Sequence, residues 1–356
     1  MKKVSRRNFL KVSGAMAAAG ALAACGGSGA STPAASGAAS TSTAASAAAA
    51  GEDKFASLGD FTMTVGHAQP EGNPRFVSME QFAADVAEAT NGHVKIEVYG
   101  NGQLGTEKEM LEQVVAGTVQ GMRGGQFDFS PRLLMFTLPF LTNTRAQVTA
   151  LLQSDLAQKV CAEAEGETGT VIINLCDAGG YRQFSNSKHP IKAPADLKGL
   201  KMRTNGMKTI DMTFQAMGAT TTTIPYSDLY MGLKTGVADG QENPWVNVEG
   251  MKFYEVQKYF TEVNYQFHPD PFYVNAAWWN GLPEEYRDII TECATKMGEY
   301  NDELIDKNSS AAKQTIVDSL LYGFGTVSDN IIPQSAQDYR EYETNGYDPE
   351  KAKSLL

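Results

Sequence analysis

The chain has 356 residues, 42% of them hydrophobic and 20% charged, and a formal charge of −11 at pH 7. So acidic a balance argues against nucleic acid or anionic lipid as a partner. The body of about 300 residues from Phe55 onward exceeds what one core usually holds, which predicts two lobes.

The amino terminus predicts export. Ser5-Arg6-Arg7-Asn8-Phe9-Leu10-Lys11 has the order and spacing of a twin-arginine signal,. Val12 to Ala24 is rich in Ala and Gly, and it is shorter than the about 20 apolar residues a membrane span needs. Leu22-Ala23-Ala24-Cys25-Gly26 has the form of a lipobox, in which Cys25 takes the lipid; an ordinary cleaved signal with an incidental cysteine is the competing reading. The signal is placed at 1–25. Removing residues 1–24 takes away Lys2, Lys3, Arg6, Arg7 and Lys11 and moves the formal charge from −11 to −16.

Residues 26–54 form the expected tether. The Ala, Ser, Thr and Gly that fill it bury too little apolar surface to offset chain entropy. Gly26 to Gly51 reaches roughly 30 Å if flexible. Cys161, Cys176 and Cys293 are then left, an odd number without paired spacing,. They read as small buried apolar residues, with a single Cys161–Cys176 disulfide left open.

The body alternates short apolar runs with longer periodic ones. Phe61 to Val65 alternates as a strand, and Arg75 to Ala89 puts Phe76, Met79, Phe82, Ala83 and Val86 at helical spacing,. Asn91-Gly92 stops that helix. His93 to Tyr99 alternates again, and Thr106 starts a helix carrying Met110, Leu111, Val114 and Val115. Val171 to Leu175 is a continuous apolar run, which predicts a parallel strand covered on both faces. Strands at Leu200–Thr204 and Ala219–Ile224 follow, with helices at Lys208–Met217 and Ser227–Thr235. Such βα units predict an α/β fold with open parallel sheets. Pro283 to about Leu320 reads as one long helix or two abutting ones.

In open α/β sheets a ligand binds beyond the carboxyl ends of strands. Arg182 follows the Val171–Leu175 strand across Gly179-Gly180, and Arg203 lies near the end of the Leu200–Thr204 strand. A guanidinium matches a carboxylate with two parallel charge-assisted hydrogen bonds. By position alone, pairing with a surface carboxylate is an equal reading for each. Asn243, held before Pro244, offers a donor and an acceptor, or caps its own turn. Trp245, Trp278 and Trp279 suit stacking on a sugar-like ligand, though packing is the commoner fate of such aromatics.

Enzyme signatures are missing. There is no Gly-x-Ser-x-Gly elbow, no Gly-x-Gly-x-x-Gly after a strand and no phosphate-binding loop. His67, His93, His189 and His268 lack metal-ligand spacing, so neither cofactor nor metal is expected. Glu284-Glu285 suits a helix start.

Four segments carry a family resemblance: Gly180-Tyr181-Arg182-Gln183; Gly199-Leu200-Lys201-Met202-Arg203; Pro225-Tyr226-Ser227-Asp228-Leu229-Tyr230; and Gly236 to Pro244 with Phe253 to Tyr259 behind it. Together they resemble the extracytoplasmic solute receptors of TRAP (tripartite ATP-independent periplasmic) transporters, of the DctP type, over about Phe61 to the late 330s. The resemblance implies a fold of periplasmic-binding-protein type: two α/β lobes, a hinge, and a long helix running along both. Lobe I is then expected at 55–180 plus about 269–308, and lobe II at 181–268 plus about 309–356. Val263–His268 and Phe272–Trp278 are candidates for a return crossover. The resemblance makes Arg203 the main clamp on a ligand carboxylate. Arg182, Asn243 and Tyr226 stand with it, and Gln126, His67, Glu71 and Trp245 are further candidates. It implies a small organic acid as ligand, a C4-dicarboxylate, 2-oxo acid or sugar acid, and TRAP permease subunits as membrane partners, at an extracytoplasmic, lipid-anchored location. A sensory module for a receptor kinase and an exported enzyme are the rival classes.

Overall fold

The computed structural model describes residues 53–127 and 129–320, together with the strand Thr326–Asp329. The signal, Cys25 and all but the last two residues of the expected tether lie outside the described residues. So does the end of the expected second lobe, apart from that strand.

The first half is built from βα units whose boundaries follow local chemistry. Strand β1 (Phe61–Gly66) buries Met63 and Val65. Helix α1 (Pro74–Ala89) begins where the Asn73 side chain accepts from the Arg75 amide at 3.0 Å with Pro74 in the first turn; both are preferred at a helix start. Met79, Phe82 and Val86 are its buried stripe. Strand β2 (Val94–Tyr99) pairs parallel with β1. Helix α2 (Glu107–Ala116) opens on a reciprocal capping box between Thr106 and Glu109 and closes on left-handed Gly117. Such caps stabilise a helix by about 1 kcal/mol. Strand β3 (Gly121–Arg123) returns parallel to β1. Two helices, α3 (Arg145–Leu152) and α4 (Asp155–Thr168), lead to the centre of the sheet.

There the sequence-based expectation of a parallel strand is corrected. Strand β4 runs from Thr170 to Asn186, far beyond the Val171–Leu175 run, and its neighbours are antiparallel. A continuous apolar run reports cover on both faces, not strand direction. Cover is indeed present: the Ile172 amide donates to Glu165 of α4, and Asn174 donates to the Ala294 carbonyl of the long helix described below. Arg182 accordingly lies inside a strand rather than beyond its end.

The second half repeats the βα pattern. Strand β5 (Lys201–Thr204), helix α5 (Lys208–Ala216) and strand β6 (Thr220–Thr223) form one unit, with β5 and β6 parallel. Helix α6 (Leu229–Lys234), strand β7 (Gly240–Asn243) and helix α7 (Trp245–Gly250) complete it. Strand β8 (Tyr259–Asn275) then pairs with β4 along most of its length. The two crossover candidates are thus one strand, and Trp278 belongs instead to helix α8 (Ala276–Gly281).

Helix α9 (Glu284–Ser319) is a single element of 36 residues. Its Tyr286, Ile290, Cys293 and Met297 pack in the core with β1 and α1, while Ala312 and Ile316 pack in a separate core with α6 and α7. It therefore runs along both halves. Strand β9 (Thr326–Asp329) pairs with β8, and the sheet order is β2-β1-β3-β8-β4-β7-β5-β6. Only β4 and β8 belong to both ends. Their register jumps between Asp177↔Pro269 and Tyr181↔Phe267, where Gly179 and Gly180 hold φ of 132° and 94°, angles that favour glycine. Cys161, Cys176 and Cys293 are free thiols, which closes the question of a Cys161–Cys176 bridge.

Candidate functional site

Strands β4, β7 and β5 lie side by side, and each sends polar groups to one place. Arg182 of β4 grips Glu242 of β7: its Nε and Nη2 both donate to the carboxylate, Nη2 at 2.8 Å, and Nη2 also reaches Asn243 Oδ1 at 3.1 Å. Tyr265 donates to the same carboxylate at 2.7 Å. Burial works against the Arg182 charge, but the Glu242 carboxylate more than offsets it and raises the pKa. Asn243 spends its amide on Gln241 at 2.6 Å. The Arg182–Glu242–Asn243 set is therefore an internal network that leaves Arg182 Nη1 without a hydrogen bond among the described residues.

Arg203 of β5 differs. Alternation along β5 sends Met202 into the apolar core and Arg203 to the opposite face,. Its Nε donates to the Ile224 carbonyl at 2.8 Å, and its two terminal nitrogens meet no acceptor among the described residues. Four arginines are buried: Arg75, Arg123, Arg182 and Arg203. The first three have a carboxylate within 4 Å, and Arg203 has none among the described residues. Burial lowers its pKa from 12.5 to about 10, with Glu242 opposing the fall and Arg182 adding to it. It remains a charged guanidinium at neutral pH, with its donors unspent. Tyr226 stands beside it, its hydroxyl on the Asn247 carbonyl at 3.3 Å and its pKa raised by burial.

The first half faces this corner with a different set. Arg75, at the start of α1, donates to Glu107 at 2.8 Å and is ion-paired to Asp270 of β8. Asp270 is fully buried, and burial raises its pKa to about 6 although Arg75 and Arg123 oppose this. Glu107, the first residue of α2, lies against the Gly124 backbone and acts electrostatically on both Arg203 and Tyr226. The Gly124–Gln126 segment approaches the second half through its Gly125 carbonyl, which lies 3.4 Å from Asn205 Nδ2. Only glycine fits at 125, since a Cβ there would stand 2.7 Å from His268 Nε2. The His268 ring lies near the Gly125 backbone at a geometry short of a hydrogen bond, and neither ring nitrogen is paired. His67 accepts the Gln69 amide on Nδ1 at 3.2 Å, so its proton sits on Nε2, a buried donor without a partner,. Among the described residues no group of three or more His, Cys, Asp or Glu side chains is placed to hold a metal ion.

Residues 65–340 match the model of the DctP family, the bacterial extracellular solute-binding proteins of family 7. The chain belongs to this family. Residues 3–23 match the twin-arginine translocation signal, so this DctP-family receptor is an exported protein. It is similar to the 2,3-diketo-L-gulonate-binding periplasmic protein YiaO of Escherichia coli, at 28% identity over 74% of this chain and 80% of that one. It is 36% identical to the uncharacterized protein y4mM of Sinorhizobium fredii over 59% of this chain, a match that spans only 39% of y4mM. In structure it resembles a TRAP periplasmic solute-binding protein from Shewanella oneidensis with bound succinate, at TM-score 0.72 and 27% identity, covering 77% of this chain and 88% of that one.

The receptor's sequence-predicted residues separate into three groups. Arg203, Arg182, Asn243 and Tyr226 come together in the second half, and Gln126 sits in the segment facing them. His67 is buried beside Arg75 and Arg123. Glu71 lies on an exposed turn, and Trp245 is buried in the core against Phe260 with Lys313 over its ring. Trp278 and Trp279 likewise pack in the core of the first half. Sequence reasoning did not single out Glu242, Arg75, Glu107, Asp270 or His268. Glu242 had a signal, since it directly precedes Asn243 in a quoted motif. Asp270 had only its place between two prolines.

Proposed function

We propose that the cleft between the two halves binds a small organic acid by its carboxylate, with Arg203 as the clamp, and that the receptor delivers this acid to a TRAP permease. One observation carries the reading: Arg203 is the buried guanidinium whose charge no carboxylate among the described residues answers. Keeping such a charge from water is costly unless a partner arrives. An incoming carboxylate supplies the partner in the bidentate geometry that guanidinium favours. Arg182 and Asn243 act one step back, fixing the wall beside Arg203.

The two lobes divide at Gly179–Gly180 on β4 and near Pro269 on β8, with α9 continuing past residue 308. The register break and the two positive-φ glycines support a hinge there. The ligand then draws Arg203 and the Gly124–Gln126 segment together, and the closed form is what the permease reads. Cys25 carries the lipid anchor, and the bound acid leaves chemically unchanged. The ligands named for two relatives, a diketogulonate and a succinate, support a small carboxylate as the ligand here.

A thermal-shift screen of the mature protein against small carboxylates tests this. A ligand at 100 times its Kd adds about 2.7 kcal/mol to stability. Mass spectrometry of the recovered acid, unaltered after incubation, separates carriage from turnover. A screen in which no carboxylate raises the melting temperature contradicts the reading.

A further inference from the structure

The buried charges beside the cleft are mostly paired. Among the described residues, Arg75 pairs with Glu107 and Asp270, Arg123 approaches Asp270, Arg182 pairs with Glu242, and Arg203 has no carboxylate within 4 Å. His67 and His268 are held neutral, first by burial and then by the neighbouring arginines. Asp177 pairs instead with Arg145, which also holds Asp306. The guanidinium left without a carboxylate among the described residues is that of Arg203.

The spatial order of these charges matters as much as their sum. Arg203 projects from the second half, whereas the first half opposite presents the Glu107–Arg75–Asp270 chain, in which the guanidinium already serves two carboxylates. Glu107 is the member of that chain set toward Arg203: it lies against Gly124, and the next residue's carbonyl, that of Gly125, lies 3.4 Å from Asn205 Nδ2, two residues past Arg203. A ligand that puts one carboxylate on Arg203 therefore points its far end toward the Glu107 carboxylate, whose oxygen atoms accept hydrogen bonds. Hydroxyl groups satisfy such neighbours, while a second carboxylate meets like charge without a free cation.

We propose that this receptor is selective for monocarboxylates with a hydroxylated far end, of the aldonic-acid type, and rejects dicarboxylates. This rests on the reading of Arg203 as the carboxylate clamp.

The experiment is calorimetry at pH 7.5 with the mature receptor, using four- to six-carbon aldonates, the matching aldarates, succinate and malate. The tightest ligand is expected to be a monoacid, with its matching diacid at least about 30-fold weaker, a gap on the order of 2 kcal/mol. Glu107→Gln, which removes the facing charge and keeps the volume, is expected to narrow that gap at least about 5-fold, on the order of 1 kcal/mol. A diacid that binds as tightly as its monoacid overturns the proposal, as does a panel in which nothing binds. Arg203→Met tells the two failures apart. If it abolishes binding while a diacid is preferred, the clamp stands and only the selectivity falls; if binding is unaffected, the clamp itself is wrong.

Discussion

Two corners of the cleft contain the same side chain in opposite electrostatic conditions. At the β4–β7 corner, Arg182 is wrapped by Glu242, Asn243 and a backbone carbonyl. At the β5 corner, Arg203 is as deeply buried but keeps most of its donors unspent. The first is a structural ion pair, whose loss damages the fold. The second is a charge held ready, whose loss damages binding and relieves the empty protein of a burial cost.

The largest expected effect on stability tests the structural corner. Glu242→Gln strips the charge that answers Arg182 and is expected to cost about 3–5 kcal/mol in chemical denaturation, the range for breaking a buried pair. A cost near zero would make the two corners alike. Next comes the crossing of β4 between the halves. Gly179→Ala places a Cβ 3.0 Å from Val246 Cγ2 at a φ of 132°, and about 1–3 kcal/mol of destabilisation is expected, read as a fall in Tm.

A smaller effect is expected from pH. His67 and His268 have pKa values depressed well below 6.5, so the stability of burying them neutral is present above pH 6.5 and lost as pH falls below it. Asp270, raised to about 6, acts in the opposite sense, its contribution being present below 3.8 and lost as pH rises through about 6. Asp302, also raised to about 6, and His93, raised by Asp53 and Asp60, act in the same sense as Asp270, so the part of the slope that belongs to the two buried imidazoles is read as a difference between variants,. A His67→Gln/His268→Gln double variant should flatten that slope in a thermal scan. A last effect sharpens the contrast most: Arg203→Met in the ligand-free protein should raise stability, by about 1 kcal/mol, because it removes the cost of burying a charge that no carboxylate among the described residues answers,.

Much of this was legible before any coordinates. Helix α2 was announced by Thr106 and helix α1 by its Phe76–Val86 periodicity, because caps and amphipathic stripes are local signals. Arg203 could be singled out because the Gly199–Arg203 segment carries the family resemblance, while its burial without a carboxylate partner is visible only in the fold. Strand direction at Val171–Leu175 was not legible, since burial on both faces gives the same apolar run in either sense. The Arg75–Glu107–Asp270 chain was missed for a related reason. Its members lie on α1, α2 and β8, and only the folding of distant segments brings them together. Trp245, at the start of α7, packs against Phe260 in the core of the second half, a placement the sequence does not announce because a helix-start aromatic can turn inward or outward.

The central claim is that the Arg203 charge grips the ligand, and one titration reaches it directly. With the tightest carboxylate from the thermal screen, calorimetry on the wild type and on Arg203→Met should show affinity falling at least about 30-fold, the lower bound for truncating a buried charged partner. A dissociation constant that stays the same in the variant would contradict the account.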